Sequence, residues 1–174
     1  MKAALLVWIS GVLALSACSH VGQAPEVTAA TEAGKADHPE ARLYDASINT
    51  KVAVDAALLK AEAEDRLVMI VMGANWCHDS RAFAGWMETP RFQKLIADHY
   101  ELVYVNIGMP QTGDGHNLEV GERFGVTDIE GTPSVLIISP LGQLLNADTA
   151  KAWRNAASRS EDAIYEELNG FTAA

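Results

Sequence analysis

Leu67-Val68-Met69-Ile70-Val71-Met72-Gly73-Ala74-Asn75-Trp76-Cys77-His78-Asp79-Ser80-Arg81 is the stretch on which the fold turns. Its first six residues form a continuous apolar run of strand length, the pattern of a central strand buried on both faces. After Gly73 a tryptophan and a cysteine follow, and the pattern then becomes helical through Phe83, Trp86 and Met87. Cys77 therefore stands where a strand gives way to the start of a helix. The thiolate is the nucleophilic form of cysteine, and the positive end of a helix favours it.

The neighbouring elements follow from spacing and capping. Val54, Ala57, Leu58 and Ala61 recur at helical spacing between Lys51 and Asp65, opposite Lys60, Glu62 and Glu64. Thr89-Pro90 interrupts the helix after Cys77 and starts another, with Phe92, Leu95, Ile96 and His99 on one face. Glu101–Ile107 is the next strand. A polar, Gly-rich loop covers Gly108–His116, after which Asn117 is placed to cap a short helix ending near Phe124. Ser134–Ser139 is a second apolar strand; Pro140–Gln143 is a turn, and Leu144-Leu145 opens a hairpin partner. Ser158 and Glu161 have capping-box spacing before a final helix with Ile164, Leu168 and Phe171 on its apolar side.

The 174 residues suffice for one domain with a sizeable core. Lys2 precedes an apolar stretch from Ala3 to Leu15, too short to span a membrane and suited to a secretory signal. Leu15-Ser16-Ala17-Cys18 resembles the bacterial lipobox. The resemblance implies cleavage before Cys18 and lipidation of its sulfur, and Ser19 in the next position favours the outer membrane, facing the periplasm. Residues 18–42 are rich in Ala, Thr, Glu and Gly with little to bury, which reads as a flexible tether spanning about 25 Å. The expected organisation is a signal over 1–17, a lipidated tether over 18–42 and a folded domain over 43–172. The net charge of −10 disfavours nucleic acid. With Cys18 acylated, Cys77 is the only thiol left, so no structural disulfide is expected.

Trp76-Cys77-His78-Asp79-Ser80, followed about 55 residues later by Thr132-Pro133 before a strand, resembles the thioredoxin-like superfamily over residues 43–172. The fold implied is α/β: a central mixed β-sheet flanked by helices. The resemblance matches Trp76–Ser80 to the family's W-C-x-x-C motif and Pro133 to a cis-proline facing the reactive sulfur. Ser80 replaces the second cysteine, Val68–Met72 lacks a buried acid, and Tyr104 lies near the family's lysine position.

The activity implied is thiol–disulfide exchange by a monothiol enzyme, an isomerase or assisted reductase, acting on exported proteins with cysteines or disulfides. Cys77 would be the nucleophile and Ser80 a hydrogen-bond donor tuning it; Trp76, His78, Thr132 and Pro133 would form the substrate contact. Ser80 cannot attack a mixed disulfide, so release requires a substrate thiol or an external thiol reductant. No cofactor is expected and no metal site is read, because the adjacent residues Cys77, His78 and Asp79 point in different directions. The rival reading is a catalytically inactive binding module for an envelope partner. A glutathione-using enzyme is a third, with no binding motif to point to.

Overall fold

The structure, a computed structural model, describes residues 38–173. Five helices and five strands follow in chain order. Helix α1 (Thr50–Glu64) is capped by the Asn49 side chain, which accepts from Val52 N–H, and leads to strand β1 (Leu67–Gly73). Helices α2 (His78–Met87) and α3 (Pro90–His99) then carry the chain to strand β2 (Tyr100–Asn106). Short strands β3 (Gly108–Met109) and β4 (Asp114–Gly115), helix α4 (Glu119–Arg123), strand β5 (Ser134–Ile138) and helix α5 (Glu161–Gly170) complete it.

The main sheet has the order β2-β1-β5. β1 pairs parallel with β2, Leu67 opposite Tyr100, and antiparallel with β5, Met72 opposite Ser134. This is the mixed sheet expected from the sequence, and β1 is its centre. Side chains alternate across a strand, so Val68, Ile70 and Met72 join Leu136 and Ile138 under α1 and α4. Met69 and Val71 join Val135 and Ile137 against Phe83, Met87, Phe92, Trp153, Ile164 and Leu168 from the other side. Both faces of β1 are covered, which is why its sequence shows no polar alternation.

Several local expectations are corrected. The hairpin partner of β5 shrinks to a single bridge between Ile138 and Leu144. Beyond it the Asn146 side chain takes the place of a strand, accepting from Ile137 N–H at 2.9 Å and donating to the Val135 carbonyl at 2.8 Å. Asn117 does not cap α4 with its side chain. It adopts a positive φ of 56° and donates instead to the Asn106 carbonyl, tying α4's approach to the end of β2. Ser160, not Ser158, caps α5, because Ser158 is taken up in the 3₁₀ turn Ala156–Ser158. His99 at the end of α3 is exposed rather than part of its buried face.

The packed domain also reaches further toward the N-terminus than residue 43. Pro39 runs over α2 at Gly85, where a Cβ would stand 2.2 Å from the Pro39 carbonyl oxygen. Ala41 N–H donates to the Arg81 carbonyl at 3.0 Å. Residues 38–42, assigned to the tether by composition, thus form an arm along α2. Composition misses it because it docks through its backbone and through Glu40 rather than through large apolar side chains.

Candidate functional site

The site lies beyond the end of β1, where the chain must turn before α2. Gly73 ends the strand under the ring of Tyr44; a Cβ there would approach the ring to 2.6 Å. Asn75 fixes the turn by exchanging two hydrogen bonds with the Tyr44 backbone, accepting at 3.2 Å and donating at 2.9 Å. Arg81 closes it from one helical turn away, donating to the Trp76 carbonyl at 2.8 Å and to Glu40 at 2.9 Å. Tyr44, Asn75 and Arg81 were not singled out by sequence reasoning, since none carries reactive chemistry. Their work is to hold the Ala74–Cys77 turn.

Cys77 is the N-cap residue of α2, with extended backbone and no capping side chain, as the strand-to-helix reading expects. Its S–H donates to the Thr132 carbonyl at 3.4 Å, and the Thr132–Pro133 peptide is cis. The two motifs therefore meet. The sulfur is less open than expected, for only 9% of Cys77 is exposed. Thr132 is 6% exposed and Pro133 buried, so the cis turn covers the thiol closely.

The remaining site candidates divide. Trp76 is exposed and free to meet a partner on its ring, while its indole N–H donates to the Gly108 carbonyl at 2.9 Å. The Gly-rich loop thereby steadies the tryptophan. Ser80 is fully buried, and its Oγ accepts from Ala74 N–H at 3.4 Å. Among the described residues no hydrogen bond joins Ser80 to Cys77. Burial beside the end of β1 turns the Ser80 hydroxyl toward the strand end, where it helps hold the turn. Asp79 also turns away, accepting from Ala157 N–H at 2.9 Å.

His78 faces the arm rather than a groove beside Cys77. Its Nδ1 lies 2.9 Å from Glu40 and its Nε2 3.2 Å from His38 Nε2. The Arg81 hydrogen bond, and then the Arg81 charge, hold the Glu40 carboxyl below its ordinary value of 4.5. Tyr104 lies edge-on to Tyr44, and its buried hydroxyl has no partner. Burial is the main cause raising both phenols well above 10.0. Cys18 lies outside the described residues, as does the lipobox. No helix among the described residues is long and apolar enough to cross a membrane.

A strand-to-helix cysteine facing a cis-proline on a mixed sheet defines a thioredoxin-like site. Residues 49–140 match the family model described as thioredoxin-like, more than half of the chain, and the chain belongs to that family. It is similar to the crystal structure of a disulphide isomerase from Xylella fastidiosa Temecula1, with a TM-score of 0.68 and 27% identity over 76% of this chain and 98% of that one. Among curated proteins no match was found.

Proposed function

We propose that this domain carries out thiol–disulfide exchange on other proteins, with Cys77 as its single nucleophile. The reading rests above all on the placement of that sulfur: at the first boundary of α2, 3.4 Å from the Thr132 carbonyl at the cis turn. The family and the similarity to a disulphide isomerase support the same chemistry.

In the forward step the Cys77 thiolate attacks one sulfur of a substrate disulfide. One S–S bond forms, one breaks, and the other substrate sulfur leaves as a thiolate that takes up a proton. Ser80 supplies no second thiol. A substrate thiol attacking the mixed disulfide returns Cys77 with no net change in oxidation, which is isomerisation. An external small thiol doing so in two steps reduces the substrate by two electrons and is itself oxidised. Trp76 is the exposed contact beside the sulfur, and Thr132-Pro133 the wall opposite it.

The proposed setting is the bacterial envelope, with Cys18 lipidated, the protein anchored in the outer membrane facing the periplasm, and exported cysteine-containing proteins as substrates. Loss of acyl-chain labelling in Cys18→Ala would support the anchor. The test of the activity is recovery of a scrambled-disulfide substrate with a small thiol present, together with capture of mixed disulfides from an envelope extract. Both should vanish in Cys77→Ala.

The 9% exposure of Cys77 favours a second reading, a binding module that keeps the groove without turnover. A partner that co-purifies equally with wild type and Cys77→Ala, and that reductant does not release, would establish that reading instead.

A further inference from the structure

Outside the sulfur chemistry, the arm and α2 bring two imidazoles and a carboxylate together. His38, Glu40 and His78 each offer a ligand atom, all within 4.8 Å of one another. Two of these residues come from a stretch whose composition reads as tether, and the third is the first residue of α2.

The hydrogen bonds around the rings fix what they present to each other. Glu40 Oε1 lies 2.9 Å from His78 Nδ1, so the carboxylate takes the N–H there and leaves a lone pair on Nε2. His38 Nδ1 faces the Pro39 carbonyl at 3.4 Å; a carbonyl only accepts, so the tautomer that uses this contact carries its hydrogen on Nδ1 and leaves the lone pair on Nε2. The two Nε2 atoms are then both acceptors, 3.2 Å apart. Two Nε2 atoms at that distance are held together either by one proton shared in an N–H···N hydrogen bond or by a metal ion to which both donate, and the same geometry suits both. With metal–nitrogen bonds of 2.0–2.1 Å in a tetrahedral shell, two imidazole ligands stand about 3.3 Å apart.

We propose that His38 Nε2 and His78 Nε2 bind a divalent transition-metal ion of zinc type. Glu40 orients His78 through Nδ1, the carboxylate–histidine arrangement that fixes a ligand's tautomer and raises its basicity. Arg81 holds the other Glu40 oxygen at 2.9 Å, which sets the carboxylate's angle. His78 is 40% exposed and Glu40 39%, so water has access to complete the shell. The chain's net charge of −10 draws cations to its surface. Occupied, the site clamps the arm to the helix that begins beside Cys77. It does not use the Cys77 sulfur and stands whether or not that sulfur is catalytic.

The experiment is calorimetric titration of the full chain in detergent with Zn²⁺ near neutral pH, with the visible spectrum of bound Co²⁺ as a second measurement. One equivalent should bind, and Co²⁺ should show nitrogen and oxygen ligation without a thiolate charge-transfer band. His38→Gln and His78→Gln should each weaken binding at least about tenfold, and Glu40→Gln by about 10–100-fold. Cys18→Ser, Cys77→Ser and His116→Gln should bind as wild type does. Circular dichroism of each variant separates a lost ligand from a lost fold. The proposal is overturned if wild type binds no Zn²⁺, if the two histidine variants bind unchanged, or if Cys77→Ser removes the metal.

Discussion

Cys77 Sγ and the main-chain oxygen of Thr132 lie 3.4 Å apart, although 55 residues separate them in the chain. The contact joins both halves of the family motif and also shields the thiol. Thiol modification requires access as well as ionisation. In a Cys18→Ser background, Cys77 should therefore react with an alkylating reagent at least about tenfold more slowly in the folded protein than in denaturant. Stopped-flow or quenched mass spectrometry measures both rates. Equal rates would mean that the cis turn does not cover the sulfur in solution.

Ser80 tests whether the site still has dithiol geometry. It lies three residues after Cys77, where side chains at the start of a helix share a face. Ser80→Cys should form a disulfide between Cys77 and the introduced thiol on mild oxidation, read as the loss of both free thiols and their return with reductant. The reduced variant should also release its own mixed disulfides, so fewer partners should be captured than with wild type. Two thiols that persist under oxidation would place the side chains too far apart for a bond.

The order of elements was legible because β1 and β5 are almost wholly apolar and α2, α3 and α5 are amphipathic, signals set by local burial. The meeting of Cys77 with Thr132-Pro133 was legible only through the family resemblance, since no local pattern encodes a contact across 55 residues. Other features hid because they depend on backbone groups. Asn146 replaces a strand with one amide, and Asn75 and Arg81 hold a turn by binding carbonyls and N–H groups that no side-chain pattern announces. The Ser80 contact was hidden for a related reason: a position in the motif says nothing about which neighbour meets its hydroxyl. The His38–Glu40–His78 cluster was hidden because His38 and Glu40, two positions apart, sit in a stretch that composition reads as tether, far in sequence from His78.

Asn146 is 1% exposed and satisfies two backbone groups of β5. Asn146→Ala leaves the Ile137 N–H and the Val135 carbonyl buried without that partner. At about 1–3 kcal/mol for each of the two orphaned groups, the domain should lose about 2–6 kcal/mol. Urea unfolding should show a lower midpoint with an unchanged slope. A loss no larger than that of an exposed alanine substitution would show that water or a shifted backbone restores both bonds.

Alkaline stability follows from the buried phenols. Burial pushes Tyr44, Tyr100 and Tyr104 up from the ordinary 10.0, with Glu88 adding to the effect at Tyr104. Above pH 10 the unfolded chain releases these protons while the folded one keeps them. The contribution is therefore fully present below pH 10 and lost as pH rises toward the folded values. Urea midpoints at pH about 8 and about 11 should differ clearly in wild type and less in Tyr104→Phe. Because the Tyr104 hydroxyl has no partner, that variant should cost little at neutral pH. A decline equally steep in the variant would assign the alkaline loss to other groups.

Gly85 decides whether the arm docks independently of the domain it lies on. It sits inside α2, where alanine ordinarily stabilises by about 1 kcal/mol, yet a Cβ would meet the Pro39 carbonyl oxygen at 2.2 Å. Gly85→Ala should therefore leave α2 intact and displace residues 38–41. Amide exchange measures this directly: Ala41, whose N–H donates to the Arg81 carbonyl, should lose protection, while Phe83 and Ala84 in α2 keep theirs. The same variant should lose the Zn²⁺ affinity assigned to His38 and His78, although no ligand has been changed. Retained protection at Ala41 would mean that the arm shifts to accommodate the methyl group, and retained affinity after the arm has left would remove His38 from the site.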